Sequence, residues 1–353
     1  MSDEVKNKRH IARYVIAGIL LLVVVTAAVG YGYYHSKVAL MQYDDGKPEE
    51  MGSISDEEAA EDDLAMQEAA KNLEEKEAVI SEKDVAEDEG VFNVLLIGTD
   101  ERVKEFSDNA RGDSCILLSI DKKTMCVHLI SFERGMGVPI LDGQYEGQWD
   151  WLTHTFRYGG ADLMMREIEE CFKVDVDHYI RVNFNTFEQL VNAVGGVDID
   201  LTELEAQGLN GQVRTNARTH TEVHAGGNHL DGYDALQYSR LRYIDSDWQR
   251  VQRQRNVIQE VIAQTKNLGL LELNNLLDTI LPLVQTNLTE GDITALALSL
   301  APKLSQVTVE QMTIPVEGTY GSMAGMGGRT LYAVDFETNA GILQDALYGE
   351  TAE

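Results

Sequence analysis

The chain has 353 residues and a formal net charge of −30, with 59 Asp and Glu against 29 Lys and Arg. That balance argues against a nucleic-acid partner, since a polyanion is drawn to clustered cations. The length allows one large domain with a substantial core, and Cys115, Cys126 and Cys171 show neither CxxC spacing nor paired histidines, so no zinc or haem pattern is present and no disulfide is demanded.

Residues 14–34 are uncharged and mostly apolar, about the ~20 positions a helix needs to cross a bilayer. Lys6, Lys8, Arg9 and Arg13 precede the stretch and acids follow it. The positive-inside rule then puts residues 1–13 in the cytoplasm and everything from about 35 outside the cell membrane, as a single-pass protein. Residues 44–89 hold 19 Asp or Glu against 4 Lys. Such a run repels itself, so residues 35–90 are expected to be a solvated acidic extracellular spacer, partly helical after Ser55-Asp56-Glu57-Glu58.

From residue 91 the pattern is that of an α/β domain reaching 350. Strands are expected over 91–97, 114–120 and 125–132, the last two joined by the turn Asp121-Lys122-Lys123-Thr124. A helix over 161–172, a strand over 177–184, a helix over 185–194 and a strand over 197–201 follow. Helices over 231–240 and 247–265, a helix over 288–301, a strand over 307–314 and a helix over 334–347 complete the series. The Gly-rich residues 318–328 read as a mobile loop. Alternating strands and helices imply a mixed sheet covered by helices.

The polar residues with chemical potential lie at strand ends and helix starts. Asp100 follows the first strand, Arg111 and Asp113 precede the second, and Arg134 follows the third. Arg240, Arg242, Arg250 and Arg253 crowd into fourteen positions of an acidic chain, with Gln254 beside them. Guanidinium forks match phosphate oxygens bidentately, so an anion site is one reading and a set of surface ion pairs the other. Arg240 and Arg242, two apart, would not share a face of a regular helix, so either the helix ends near Ser239 or one of them is structural. Asp100 and Asp113 either hold a divalent cation, Mg²⁺ or Mn²⁺, that bridges to phosphate, or serve as turn and capping residues.

The order of motifs resembles the LytR–CpsA–Psr family of cell-wall glycopolymer ligases. The matching pieces are NVLLIGTD at 93–100, RGDS at 111–114, DHYIRVNFNTFEQLVNAVGGVDIDL at 177–201 and LDGYDALQYSRLRYIDSDWQRVQRQ at 230–254, behind one N-terminal span. The resemblance implies an αβα sandwich with an apolar lipid-binding cavity. It implies a phosphotransferase that moves a glycopolymer, such as teichoic acid or capsule, from a polyprenyl-pyrophosphate carrier to peptidoglycan at the membrane. Carried over by position, Asp100 and Asp113 match the metal-binding acids. Arg134, Arg240, Arg242, Arg250 and Gln254 match the pyrophosphate contacts, with Arg111 beside them, and Asp247 is the candidate base. A non-catalytic lipid-pyrophosphate sensor or scaffold is the alternative.

The chain departs from the family pattern at two places. Where the family has Ile-Pro-Arg-Asp-Thr, this sequence has Phe132-Glu133-Arg134-Gly135-Met136, and Asp150-Trp151-Leu152-Thr153-His154 replaces a Lys-Leu-Asn-Ala run. In a regular strand Glu133 would face away from Arg134.

Overall fold

The computed structural model describes residues 32–43, 56–101, 106, 110–215, 221–241 and 244–349. In chain order its strands are β1 (Gln42–Tyr43), β2 (Val91–Thr99), β3 (Gly112–Asp121), β4 (Cys126–Phe132), β5 (Gly137–Pro139), β6 (Trp149–Trp151), β7 (His178–Val182), β8 (Val197–Leu201), β9 (Gly226–Leu230), β10 (Gln285–Thr286), β11 (Thr308–Ile314), β12 (Tyr320–Ala324) and β13 (Thr330–Val334). The helices are α1 (residues 32–38), α2 (Asp56–Ala70), α3 (Leu152–Phe172), α4 (Phe184–Ala193), α5 (Glu203–Thr215), α6 (Gly232–Ser239), α7 (Asp247–Thr265), α8 (Leu270–Ile280), α9 (Glu290–Leu300) and α10 (Phe336–Tyr348).

Seven strands form the central sheet in the order β1-β10-β7-β2-β3-β4-β11. β2, β3 and β4 are successive antiparallel neighbours, while β7 joins β2 and β11 joins β4 in parallel, so the sheet is mixed. Period-2 alternation buries both faces. Leu95, Ile97, Cys115, Leu117, Ile130 and Phe132 pack with α3 and α10. Leu96, Ile116, Leu118, Val127 and Leu129 form the opposite cluster with Ile258 and Ile262 of α7. β8 and β9 pair with each other outside the sheet, over a third cluster built with α5 and α6.

Register gathers the loops of interest at one sheet end. Gly98 pairs with Ser114 and with Val182, and Ile116 with Ser131. The chain therefore leaves β2, enters β3, leaves β4 and leaves β7 on the same side. α3 breaks where Gly159 and Gly160 leave helical geometry, with Gly160 at φ +65°, a left-handed conformation that favours glycine.

Two expectations are corrected. Residues 318–328 are largely the hairpin β12–β13, because Tyr320, Leu331 and Tyr332 supply apolar contacts that outweigh the glycines. Of the expected solvated acidic spacer, the described residues 35–43 and 56–90 are docked on the domain. Val38 and Met41 are buried beside β7 and α8, and Met66 and Ala70 of α2 join the main core. Backbone bonds then tie Lys76 to Ser322, Val79 to Val334 and Ala86 to Lys173. A few apolar side chains and unsatisfied strand edges suffice to hold an otherwise charged segment. Residues 14–31 of the expected span lie outside the described residues, among which no helix is long and apolar enough to cross a membrane.

α7 is anchored by two buried arginines. Arg253 Nη1 and Nη2 donate to Asp245 at 2.7 and 2.8 Å, and Nη2 also donates to the Leu241 carbonyl at 2.9 Å. Arg255 donates to the Met312 carbonyl at 3.1 Å and to Thr313 Oγ1 at 2.7 Å, joining the helix to β11. Arg253→Met should therefore cost on the order of 3 kcal/mol in urea unfolding, because Asp245 loses the guanidinium that clamps it and Leu241 its donor. A change within experimental error would show that the clamp is dispensable.

Candidate functional site

Strand β4 ends at Phe132, and the backbone then turns. Glu133 N–H donates to the Ile314 carbonyl at 2.8 Å and Met136 N–H donates to the Glu133 carbonyl at 3.2 Å. Strand alternation no longer applies, and Glu133 and Arg134 both turn toward Asp247 in the first turn of α7. The opposite facing of a regular strand therefore does not hold here. Arg134 Nε lies 3.4 Å from Asp247 Oδ2, Arg250 Nε lies 2.9 Å from Oδ1, and Arg250 Nη2 donates to Oδ2 at 3.0 Å. A carboxylate held by two guanidinium groups at a helix N-terminus marks a place that favours negative charge.

Glu133 is fully buried. Burial first, then the neighbouring Asp247 carboxylate, push its carboxyl well above the usual range, against the pull of Arg250 and Arg134. Tyr332, Tyr320 and Trp248 form an aromatic wall here, with Trp248 stacked on Tyr320 at 5.4 Å between ring centroids. The tyrosine hydroxyls are raised by burial first and by Glu133 among their neighbours, so neither is an acid at neutral pH.

The other expected site residues sit around this centre. Gln254, one turn beyond Arg250, accepts from Ser114 Oγ at 3.0 Å, which brings α7 against the residue after Asp113. Asp100 accepts from Arg111 N–H at 3.1 Å and from Arg111 Nε at 3.3 Å, so these two close the loop between β2 and β3. Asp113 is half-buried at the start of β3, beside the irregularity in the β2–β3 register at Gly98 and Thr99. Arg240 caps the C-terminus of α6, with φ −105°, and its guanidinium lies 4.3 Å over the Phe184 ring. The helix thus ends at Ser239, one of the two alternatives the spacing left open. Phe184 follows β7 at the same sheet end. Arg242 lies outside the described residues. The structure joins Arg134, Asp247 and Arg250 directly, places Gln254 beside Ser114, and holds Arg240 on a separate aromatic ledge.

Sequence reasoning missed two parts of this site. Met66 of α2 packs on Gly135: a Cβ built there would lie 2.5 Å from Met66 Sδ. The acidic helix therefore fills the space where the family pattern has an Asp. The missing side chain at Gly135 was the only signal in the sequence. The second part is the Asp150 network. Asp150 is fully buried and accepts from His154 Nδ1 at 3.0 Å, Tyr158 OH at 2.6 Å and Arg329 Nη1 at 2.6 Å. Burial opposes its ionisation, but His154, Tyr158 and Arg329 outweigh that and keep the carboxyl below its usual range. The segment replacing the family's Lys-Leu-Asn-Ala run thus acts as an internal clamp between β6, α3 and the β13 hairpin.

The LytR_cpsA_psr family model matches residues 56–344. The polyisoprenyl-teichoic acid–peptidoglycan teichoic acid transferase TagT of Bacillus subtilis (strain 168) is 32% identical over 219 residues, which is 61% of this chain and 65% of that protein. The match thus spans just under two thirds of that relative's length. A solved structure described as TagT bound to LI-WTA shares 27% identity at a TM-score of 0.59, covering 76% of this chain and 96% of that one. Another, described as the LytR-CPS2A-psr family protein YwtF (TagT) with bound octaprenyl pyrophosphate lipid, shares 25% identity at a TM-score of 0.55, covering 76% and 96%.

Replacing Gly135 by Asp tests the packing of Met66 on the site. Gly135→Asp should fold but lose on the order of 1 kcal/mol from crowding, since the obstructing atoms are the far end of a flexible side chain. In a double-mutant cycle with Met66→Ala, the two changes should couple favourably. Strict additivity in urea denaturation would contradict the contact.

Proposed function

The chain belongs to the LytR–CpsA–Psr family, and we propose that it is a phosphotransferase joining an anionic glycopolymer to peptidoglycan at the outer face of the cell membrane. The donor is a polyprenyl-pyrophosphate-linked polymer and the product a phosphodiester on a sugar hydroxyl. The observation that carries this reading is the pairing of Arg134 and Arg250 around Asp247 at the start of α7, in a protein of net charge −30. Two arginines kept together against such a background suit a pyrophosphate better than a random ion pair. The relative solved with octaprenyl pyrophosphate supports the same ligand class.

In this mechanism Arg134 and Arg250 bind the pyrophosphate oxygens, joined by Arg240 and, by motif position, Arg111 and Arg242. Gln254 fixes one edge of the site through Ser114. The acceptor hydroxyl attacks phosphorus, its proton passes to Asp247, and the arginines stabilise charge on the departing polyprenyl phosphate. Asp100 and Asp113 offer an oxygen-only donor set, which fits Mg²⁺ or Mn²⁺. Asp100 also accepts from Arg111, so an ion held by Asp100, Asp113 and substrate phosphate would share Asp100 with that guanidinium. When bound, such an ion would neutralise phosphate charge during the transfer. The prenyl tail would run in an apolar cavity between sheet and helices, with the span at 14–34 as the anchor.

Turnover of a polyprenyl-pyrophosphate glycan, with and without a peptidoglycan acceptor, tests the reading. Product linked to acceptor is expected; lipid binding without turnover would favour the sensor reading. Arg240→Ala should lower turnover on the order of 10²-fold, with Arg240→Lys restoring only part, because a point charge cannot reproduce the fork. Asp113→Ala should abolish the metal dependence while leaving the melting temperature nearly unchanged. Full activity in Arg240→Ala would remove that residue from the site.

A further inference from the structure

We propose that Glu133 and Asp247 form a carboxyl pair sharing one proton, in which Asp247 meets the acceptor hydroxyl and Glu133 is a positioning residue behind it. The role in transfer rests on the function proposed above; the pair itself does not.

The geometry requires a proton. Glu133 is 0% exposed, and neither carboxyl oxygen accepts a hydrogen bond from a fixed donor. A buried carboxylate without donors is costly, and it takes up a proton instead. Asp247 is the acid within hydrogen-bond reach of it. The groups facing Glu133 are Asp247 and Arg250 from α7, Arg134 from its own loop, and Tyr320 and Tyr332 from the β12–β13 hairpin. Asp247 is engaged by both arginines whereas Glu133 has no fixed donor, so Glu133 is the member that keeps the proton. Its elevated pKa, driven first by burial, agrees.

This arrangement sets the charge of the site. Two arginines and one ionised carboxylate leave the quartet Glu133, Asp247, Arg134 and Arg250 at +1, ready for an anion. Loss of the Glu133 proton would make the quartet neutral and draw the arginines away from phosphate. During transfer the hydroxyl O–H bond breaks and its proton goes to the ionised oxygen of Asp247. The new O–P bond forms as the bridging P–O bond breaks, and that electron pair leaves with polyprenyl phosphate. The pair then holds two protons until one returns to solvent. The acid that replaces the family's proline at 133 therefore compensates for the acid missing at 135.

The test compares the wild-type full chain with Glu133→Gln, which copies the neutral acid but cannot ionise. Affinity for inorganic pyrophosphate is measured by calorimetry from pH 6 to pH 9. The ratio of wild-type to variant affinity cancels the titration of pyrophosphate itself. It should fall where the wild-type site gives up the Glu133 proton, on the order of tenfold for the loss of one unit of charge. Stability gives a second reading: a carboxyl raised on folding destabilises the protein as pH climbs from the unfolded value toward the folded one, so Glu133→Gln should flatten that decline. Isotope-edited infrared spectroscopy decides independently of ligand and activity. At pH 7 the wild type should show a protonated carboxyl band that is absent in Glu133→Gln and shifted in Asp247→Asn. No band removed by the Glu133 substitution would overturn the pair. Absence of any pyrophosphate binding by the wild type would instead count against the proposed function, and the infrared result would still decide the pair.

Discussion

Everything at the candidate site hangs on the Asp247 carboxylate, which joins the end of β4 to the start of α7 through Arg134 and Arg250. Without it the buried guanidinium of Arg250 and the partly exposed one of Arg134 would lose their shared carboxylate. With it both are held close to one point, which is the preorganisation an anion needs. The remaining site elements follow from sheet register. Pairing of Gly98 with Ser114 and Val182 brings Asp100, Asp113 and Phe184 to the same end, and Gln254 on α7 closes onto Ser114.

The same helix shows why arginines cannot be sorted by sequence alone. Arg250 and Arg253 are three apart, yet only Arg250 joins Arg134 at the site. Arg253 is buried against Asp245 and Leu241, and Arg255 against β11, where burial lowers its pKa to about 10. Both act as anchors that fix the helix carrying the site. The reading of each arginine as a mere ion-pair partner is thus right for Arg253. Arg240, at the C-terminus of α6, shows a third arrangement: its guanidinium lies over the Phe184 ring.

Much of the fold was legible because the strands are long aliphatic runs bounded by turn residues. The hairpin through Asp121-Lys122-Lys123-Thr124 and the helix over 247–265 stand where periodicity puts them. The failures have physical causes. The β12–β13 hairpin is rich in glycine, and its few aromatic residues earn their burial only from distant partners such as Trp248. The docking of 56–89 depends on single residues, Met66 and Ala70, and on backbone bonds that carry no side-chain signal. The direction of Glu133 depends on a turn one residue beyond β4, where alternation no longer applies. The motif positions of the site were readable, whereas the proton-sharing acid and the methionine that fills the place of the missing one depend on tertiary contact.

A structure of the full chain with a polyprenyl pyrophosphate tests most directly whether Asp247 holds Arg134 and Arg250 for that ligand. Phosphate oxygens are expected within hydrogen-bond distance of both guanidinium groups, with Asp247 still beside them. A lipid phosphate bound elsewhere, with both arginines satisfied only by Asp247, would contradict it.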